Sequence, residues 1–354
     1  MVLLPTCVLV LAASVAPAQP FAIQGPGVNP NDFRITTFAT GLSNPLSMQT
    51  ASDGSLLVTA SSGQVLRFVD ADNDGVADGA GQVMASGLPF LPTGLRLAGD
   101  LAFVHSSGND LNVFRLGATL SDPFSLVGTV DFDYANRPGE HVSHTLGVRP
   151  TPGQPGKFDV FTNLGAEENF SATDPTHTVV LNGMGFNNVE LVSDSIHMLR
   201  VDNTGVAPVF ESATQIVSGV RNPAGIAFHP VTGDMYFQDN GIDGSPDRNE
   251  PLSADELNFL AAADIGGAVE NYGFPNNYTE YRTGNDIGSN GIDPLVAFQP
   301  IPMPNGSETE GPNDIVFAPA LFPEGLNNGI FVGFHGKGTV GLANEENADR
   351  KSVV

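Results

Sequence analysis

The sequence predicts an all-β protein, a β-propeller of small antiparallel sheets, and three observations lead to this expectation. The chain of 354 residues contains 41 Gly and 27 Pro, which favours many short strands and tight turns over long helices. Long runs with the 3.6-residue apolar period of an amphipathic helix are absent from the sequence. A loose repeat of short apolar strands recurs at the blade spacing of roughly 40 to 60 residues and divides the chain into about five blades.

Short apolar strands separated by turn residues account for much of the chain. Asp-Gly, Ser-Gly or Thr-Gly pairs join many of them, as in antiparallel hairpins. The predicted strands are Ser55–Ala60, Gln64–Val69, Thr93–Ala98, Asp100–His105, Leu111–Leu116, Ser125–Phe132, Ser143–Val148, Lys157–Thr162, Ser195–Val201, Ala224–Phe228, Asp234–Gln238, Asp314–Ala318 and Gly329–Phe334. Two stretches, Thr173–Val192 and Asn276–Asp293, are expected to be insertions, either functional loops or mobile surface excursions.

Residues 1–18 have the pattern of a secretory signal peptide, so residues 19–354 are expected to form one propeller domain of a secreted or periplasmic protein. Val2–Val15 is almost entirely apolar, and Ala16-Pro17-Ala18 offers small residues for cleavage. The apolar run is short for a membrane span, so none is expected in the mature chain. Cys7 is the single cysteine and lies in this segment, which excludes disulfides and thiolate metal sites from the mature chain.

Acidic residues dominate the charge of the chain. The net charge of −25 argues against nucleic acid as a partner, because phosphates would be repelled, and it suits a soluble protein that holds divalent cations. One loop has carboxylates at the spacing used for calcium, with Gly75 allowing the backbone to bend around an ion. These carboxylates belong to Asp70, Asp72, Asp74 and Asp78. Gly81 replaces the bidentate Glu of an EF-hand, so a structural calcium loop is predicted, with a plain acidic turn as the alternative.

Three segments follow one another in the second half of the chain. They are Arg221-Asn222-Pro223-Ala224-Gly225, Asp255-Glu256-Leu257-Asn258 and Asn271-Tyr272-Gly273-Phe274-Pro275. In this order and spacing they resemble the central signature of the soluble glucose and sorbosone dehydrogenases. That resemblance implies a six-bladed propeller of four-stranded blades that holds pyrroloquinoline quinone (PQQ) with calcium. Because relatives continue past the position of Val354, the last blade is expected to be incomplete in this chain.

The resemblance also implies roles for individual residues on the cofactor side. Arg221 and Asn222 match a cofactor-contacting pair, and a planar guanidinium suits the carboxylates and quinone oxygens of PQQ. The backbone carbonyls of Gly241 and Ile242 match the place where relatives hold the calcium that polarises the quinone. Lys337 is the candidate for a further cationic contact, with an ordinary Gly-rich turn as the alternative.

His141, preceded by Glu140, matches the general base of these dehydrogenases. A histidine suits that role because its pKa lies near neutrality, and a nearby carboxylate can raise its basicity. The neighbouring His144 is interpreted as a hydrogen-bonded turn residue. Asp255 and Glu256 are expected to brace the cofactor loop through hydrogen bonds rather than to contact substrate.

Residues that contact sugar in glucose-oxidising relatives are replaced in this chain. Pro92-Thr93-Gly94-Leu95 stands for a Gly-rich element, Phe170 for a Gln and Phe274 for a Trp, which puts glucose in doubt as the substrate. The resemblance predicts an enzyme that oxidises a sugar or related alcohol or aldehyde and passes electrons to an external acceptor. The alternative is a catalytically silent propeller that binds calcium and a carbohydrate or protein ligand. A calcium-dependent lactonase on a similar propeller is the third alternative for the function.

Overall fold

The structure, a computed structural model, describes residues 29–89, 91–106, 110–132, 141, 145–171, 178–247, 250–306, 309, 311–334 and 352–353. Within these residues it contains β-strands and a short 3-10 helix, Pro30–Asp32, so the predicted all-β class is confirmed. No helix in this part of the chain is long and apolar enough to cross a membrane. The predicted signal peptide at 1–18, Glu140 and Lys337 lie outside the described residues.

Short strands, mostly of five to eight residues, make up the fold. In chain order they are β1 (Pro45–Thr50), β2 (Leu56–Ala60), β3 (Gln64–Phe68), β4 (Gln82–Ser86), β5 (Pro92–Ala98), β6 (Leu101–Ser106), β7 (Leu111–Arg115), β8 (Ser125–Asp131), β9 (Leu146–Pro150), β10 (Lys157–Leu164), β11 (Thr178–Gly183), β12 (Phe186–Val192), β13 (Ser195–Asp202), β14 (Val209–Ser218), β15 (Pro223–Phe228), β16 (Met235–Asp239), β17 (Asp255–Leu260), β18 (Glu270–Asn271), β19 (Tyr278–Thr279), β20 (Asp286–Ile287), β21 (Val296–Phe298), β22 (Pro312–Phe317), β23 (Ile330–Phe334) and β24 (Ser352–Val353). Every strand predicted from the sequence overlaps one of them.

The strands pair into small antiparallel sheets in the order of a propeller. The first sheet is β1–β4, the second contains β5–β8, the third β9, β10, β13 and β14, and the fourth β15, β16, β17 and β21. A fifth sheet contains β22, β23 and β24. The predicted propeller is therefore confirmed, with four blades of four or more strands in the described part of the chain. The count of six blades stays a prediction.

The sheets pack side by side around an axis. The first strand of each sheet lies against the first strand of the next, from β1 through β5, β9 and β15 to β22. Buried apolar clusters fill the space between successive sheets, as Leu57 and Leu95 do between the first and second and Phe161 and Phe237 between the third and fourth. The repeated strand order places the beginning of every inner strand at one end of the ring. We call this the site end.

One predicted insertion is wrong in part. Thr173–Val192 was expected to lack strands, but β11 and β12 form a hairpin within it. Strand β11 pairs with β8 at Asn182–Asp131 and Gly183–Val130, so the hairpin extends the second sheet. Glycine and asparagine residues interrupt the alternation of apolar and polar residues, and they hide this hairpin from periodicity. A minimal pair, β19 with β20, likewise lies within Asn276–Asp293.

His197 on β13 makes the stability of the protein sensitive to acid. The side chain is buried, its Nε2 accepts a hydrogen bond from the Val192 N–H at 3.3 Å, and burial lowers its pKa from 6.5 to about 3. Below pH 6.5 His197 therefore binds a proton in the unfolded chain but not in the folded chain, and the free energy of unfolding falls as the pH decreases. We expect His197 to contribute a slope of about 1.4 kcal/mol per pH unit between roughly pH 6 and pH 4.

Urea denaturation of the wild type and of His197→Gln over this pH range measures that contribution. Carboxylates titrate in both proteins, so their effect cancels. The difference between the two slopes of unfolding free energy against pH is then the contribution of the His197 imidazole. Parallel slopes would contradict the assignment.

Candidate functional site

Three parts of the chain meet at the site end. They are His141, the loop that follows β10, and the turn of Arg221 that precedes β15. Gly165 and Ala166 follow β10, and the N–H of Ala166 donates to the carbonyl of Arg221 at 2.7 Å. The N–H of His141 donates in turn to the carbonyl of Ala166 at 3.1 Å. A side chain at Gly165 would meet His141 Cβ and O at 2.7 Å and Arg221 O at 2.9 Å. The structure thus brings the backbone of the predicted base and that of the predicted cofactor-contacting arginine close to the same glycine.

Adding a methyl group at Gly165 should push these neighbours apart. Because the contacts are with backbone and Cβ atoms, which shift less easily than side-chain ends, we expect Gly165→Ala to cost about 1–3 kcal/mol of unfolding free energy. Gly79→Ala is the matched control, since nothing lies within 4 Å of an added Cβ there. Urea denaturation measures the loss of unfolding free energy in both variants. Equal losses in Gly165→Ala and Gly79→Ala would contradict the close approach of His141 and Arg221 to Gly165.

Arg221 is the centre of a hydrogen-bond network. The residue is only 3% exposed, and its Nε and one terminal nitrogen donate to Asn169 O at 3.1 Å and Asn169 Oδ1 at 2.7 Å. The guanidinium also donates to Asn240 O at 3.2 Å and to Asp243 Oδ2 at 3.0 Å. These partners come from loops after β10 and β16, so the guanidinium ties two blades together. A carboxylate of a cofactor could bind the guanidinium only by sharing it with these acceptors or by displacing them.

Asn169 is a member of this network that the sequence motifs do not indicate. Besides the two bonds from Arg221, its Oδ1 accepts from the Asp243 N–H at 2.9 Å and its Nδ2 donates to Asp243 O at 3.0 Å. Asn169 and Asp243 are 74 residues apart in sequence, and no motif or spacing connects them. Only the ring arrangement of the third and fourth blades, which places both loops at the site end, would have indicated the contact.

Asp239 fixes the Arg221-Asn222 turn from the adjacent strand. Its carboxylate accepts the N–H groups of Arg221 at 2.8 Å and Asn222 at 2.5 Å. Burial raises the pKa of Asp239 to about 7, although these hydrogen bonds and the Arg221 charge act to lower it. Burial, and next the charge of Asp239, raise the pKa of Glu256 to about 8. Glu256 is therefore mostly protonated at neutral pH and Asp239 partly protonated, unless a cation lies beside them.

The loop of Gly241 and Ile242 has the oxygen-rich surroundings of a hard cation site. Asp255 Oδ1 accepts the Gly241 N–H at 2.6 Å, which is the bracing predicted for Asp255. The carbonyl of Ile242 accepts the N–H groups of Leu252 at 2.8 Å and Ser253 at 3.2 Å. A cation at that carbonyl would have to displace both bonds. The calcium-ligand roles of the two carbonyls stay predictions, and the geometry favours Gly241 over Ile242.

A small cavity lies beneath these residues. Its volume is about 20 Å³, room for about one water or one ion. The lining includes Arg221, Asp239, Asn240, Glu256, Phe274 and Tyr278. The Oδ1 atom of Asn240 is buried and has no hydrogen-bond partner among the described residues. Oxygen acceptors therefore outnumber cations around this cavity, which suits a bound cation or an ordered water.

The predicted calcium loop lies at the opposite end of the ring, after β3. Carboxylate oxygens of Asp70, Asp72 and Asp74 lie within 4.8 Å of one another. Asp78 lies outside this group, and its Oδ2 accepts the Ala71 N–H at 2.7 Å. Calcium binding at this loop stays a prediction. Because the loop lies at the end of the ring opposite His141, a bound ion there would affect the stability of the protein and not catalysis.

Known proteins resemble the chain over most of its length. A family model described as TrAA12-like matches residues 28–337. A solved structure of a family AA12 carbohydrate-active enzyme from Trichoderma reesei is 19% identical, covers 84% of this chain and 75% of that one, and superposes with a TM-score of 0.57. The PQQ domain of pyranose dehydrogenase from Coprinopsis cinerea is 15% identical, with 83% and 72% covered and a TM-score of 0.57. At these identities the similarity establishes the fold and not the activity.

A curated relative matches only a short segment. An uncharacterized protein of Borreliella burgdorferi is 40% identical over 60 residues, which is 17% of this chain and 14% of that protein.

Proposed function

Because this chain belongs to the TrAA12-like family, and its site end brings His141 and Arg221 to one glycine, we propose that it is a quinoprotein sugar dehydrogenase. The substrate is a sugar or a related alcohol or aldehyde, the cofactors are PQQ and calcium, and an external acceptor takes the electrons. The observation that carries the proposal is the close approach of both His141 and Arg221 to Gly165.

The residues present fit a calcium ion well and the quinone in part. The buried Oδ1 of Asn240, which has no hydrogen-bond partner among the described residues, and the carboxyl groups of Asp239 and Glu256 around the same cavity are the hard oxygen ligands that would hold the ion. On the quinone side, Arg221, Asn222 and Lys337 are the residues that would hold PQQ. The guanidinium is largely engaged by protein oxygens, so it would contribute more by orientation and charge than by a free bidentate contact.

Bound PQQ supplies the hydride acceptor, and the chain supplies the base and the electrostatic environment. His141 accepts the proton of the substrate hydroxyl, because histidine is the side chain best suited to exchange a proton near neutral pH. Its Nε2 is enclosed by protein atoms, which keeps bulk water from that side of the ring. Arg221 places a fixed positive charge at the site end, where negative charge develops during oxidation.

Turnover tests this proposal directly. The protein is supplied with PQQ and calcium, and reduction of an artificial electron acceptor is followed with a panel of neutral sugars, alcohols and aldehydes. We expect turnover that requires both additions. Retention of PQQ without turnover on any substrate would exclude the enzyme.

A silent propeller is the second candidate, and the engaged guanidinium of Arg221 favours it, together with the replaced sugar-contacting positions. It predicts ligand binding without redox chemistry. Calorimetric titration with PQQ separates the two, because the dehydrogenase gives saturable heat and the silent propeller gives none.

Export is part of the proposal. The pattern of residues 1–18 supports a secreted or periplasmic protein, where PQQ and calcium are accessible. Expression of the full chain, followed by N-terminal sequencing of the recovered protein, should show Gln19 as the first residue.

A further inference from the structure

One seam in the ring is bridged by a segment that belongs to no sheet. Contacts between inner strands run from β1 through β5, β9 and β15 to β22, and among the described strands no contact of similar extent joins the fifth sheet to the first. Residues 33–38, which contain no strand, contact both of these sheets at the end of the ring opposite the site end. We call these residues the N-terminal strap.

The beginning of the strap packs on the fifth sheet. The Phe33 ring lies against Phe322, with centroids 6.1 Å apart and planes at 54°. Phe322 belongs to the loop between β22 and β23, and its ring meets Phe331 of β23 edge to face, with centroids 5.4 Å apart. Aromatic pairs in these geometries contribute stability beyond the apolar area that they bury. The three rings therefore connect the strap to the second strand of the fifth sheet.

The middle of the strap is hydrogen-bonded to the loop that follows β3 in the first sheet. The Arg34 guanidinium donates to the carbonyl of Asp74, and the Thr36 hydroxyl donates to that of Gly75 at 2.6 Å. The strap lies so close to this loop that a side chain at Gly75 would meet the Thr36 hydroxyl oxygen at 2.9 Å. Both hydrogen bonds use backbone carbonyls of the loop, so the strap fixes the path of the loop backbone.

The end of the strap packs on the first sheet itself. The Phe38 ring meets Phe68 of β3 edge to face, with centroids 6.4 Å apart and planes at 72°. The Phe38 carbonyl accepts the N–H of Ala77 at 2.8 Å, which is a third hydrogen bond between the strap and the loop after β3. An aromatic ring thus anchors each end of the strap, Phe33 on the fifth sheet and Phe38 on the first.

Separate contacts hold the side of the fifth sheet that faces the fourth. Strand β22 lies against β15, and Phe334 of β23 meets Phe298 of the fourth sheet with ring centroids 5.0 Å apart. Arg96 of β5 reaches across from the second sheet and donates to the carboxylate of Asp314 on β22 at 2.7 Å. Loss of the strap would therefore leave the fifth sheet attached to the ring and free only the side that faces the first sheet.

We propose that the N-terminal strap is a latch that keeps the seam between the fifth and first sheets closed and that opens without unfolding of the other blades. The closed latch removes apolar surface of both sheets from water, which favours the closed ring. A short segment outside any sheet opens at a lower free energy than the strands of a blade do. The latch acts on the scaffold, so it does not depend on the proposed enzyme activity.

Hydrogen exchange of the full chain, followed by mass spectrometry, tests the latch through effects at a distance. Phe38→Ala removes the anchor on the first sheet and should raise exchange about ten-fold in residues 319–331, at the other end of the strap. Phe33→Ala removes the anchor on the fifth sheet and should raise exchange by a similar factor in residues 70–78, where the Ala77 N–H is bonded to the strap. Exchange in β10 and β13 should stay within about two-fold of the wild type, because opening of the latch does not unfold the third sheet.

Phe124→Ala is the matched control. Phe124 is half-buried, like Phe33, and meets Phe114 in a tilted pair with centroids 6.5 Å apart and planes at 47°, close to the geometry of the Phe33 pair. It precedes β8 of the second sheet and is not part of the strap or of the rings that the strap contacts. Exchange in the two segments at the seam should therefore match the wild type in this variant.

Three results would overturn the latch. In the first, each alanine variant of the strap raises exchange only beside its own ring or not at all, as independent local packing would. In the second, exchange rises equally in β10 and β13, so that loss of the strap unfolds the whole ring. In the third, Phe124→Ala raises exchange at the seam as much as Phe33→Ala does.

Discussion

Replacing His141 by alanine is expected to lower kcat by about 10²–10⁴-fold, because the chain then lacks the group that accepts the substrate proton. The loss should leave cofactor affinity nearly unchanged, since Asn169, Asn240 and Asp243 hold Arg221. Turnover with PQQ and calcium at saturating sugar measures the first effect, and calorimetric titration with PQQ measures the second.

His229→Asn is the control for this variant. His229 follows β15, at the end of the ring opposite the site end, and its Nδ1 accepts the N–H groups of Val231 at 3.3 Å and Thr232 at 3.1 Å. An asparagine oxygen can replace that acceptor, so turnover should be retained. Wild-type kcat in His141→Ala would remove His141 as the base. Loss of PQQ binding in the same variant would show that the residue supports the site and does not act in catalysis.

Replacing Asp159 by alanine is expected to cost about 3–5 kcal/mol of unfolding free energy, the largest stability effect predicted for a single residue. The side chain of Asp159 on β10 is fully buried between two arginines. Arg149 Nε donates to it at 3.3 Å and Arg200 Nε at 3.0 Å, while the Thr151 hydroxyl donates at 2.9 Å. Removing the carboxylate leaves the guanidinium groups of Arg149 and Arg200 close together without a negative charge between them.

The Arg149 guanidinium cannot easily move to water after this change. It lies 5.5 Å from the Phe161 ring centroid and 5.4 Å from that of Phe228, and burial lowers its pKa. Glu211→Ala is the control, because Glu211 pairs with Lys157 at 2.5 Å in an exposed ion pair that solvent screens. Guanidinium chloride denaturation compares the variants. A loss under 1 kcal/mol for Asp159→Ala would contradict the buried network.

The strands that the sequence predicted share a property that the missed ones lack. Lys157–Thr162 and Ser195–Val201 alternate or concentrate apolar residues because both faces of a blade pack against neighbouring blades. By contrast, the one buried residue of β1 is the polar Ser47 while its Met48 is exposed, and β14 carries polar residues along half its length. Inner edges and outer edges of blades have fewer apolar contacts, so periodicity alone does not identify them.

The candidate site was partly predictable for a related reason. Arg221, Asn222 and His141 occur in local motifs, and a motif is visible in a single sequence. Asn169 and Asp243 contact Arg221 from loops 52 and 22 residues away along the chain, and only the ring places them together. The bonds that occupy the Ile242 carbonyl likewise come from Leu252 and Ser253, in the segment before β17. Sequence motifs therefore suggest candidate residues for the site, and the fold decides which of their atoms remain available.

A crystal structure of the protein grown with PQQ and calcium tests the central claim most directly. The account predicts quinone density at the site end, against the Arg221-Asn222 turn, with the His141 ring facing the side left open for a sugar. Quinone density at the other end of the ring, or side chains of His141 and Arg221 directed toward opposite ends of the propeller, would contradict it.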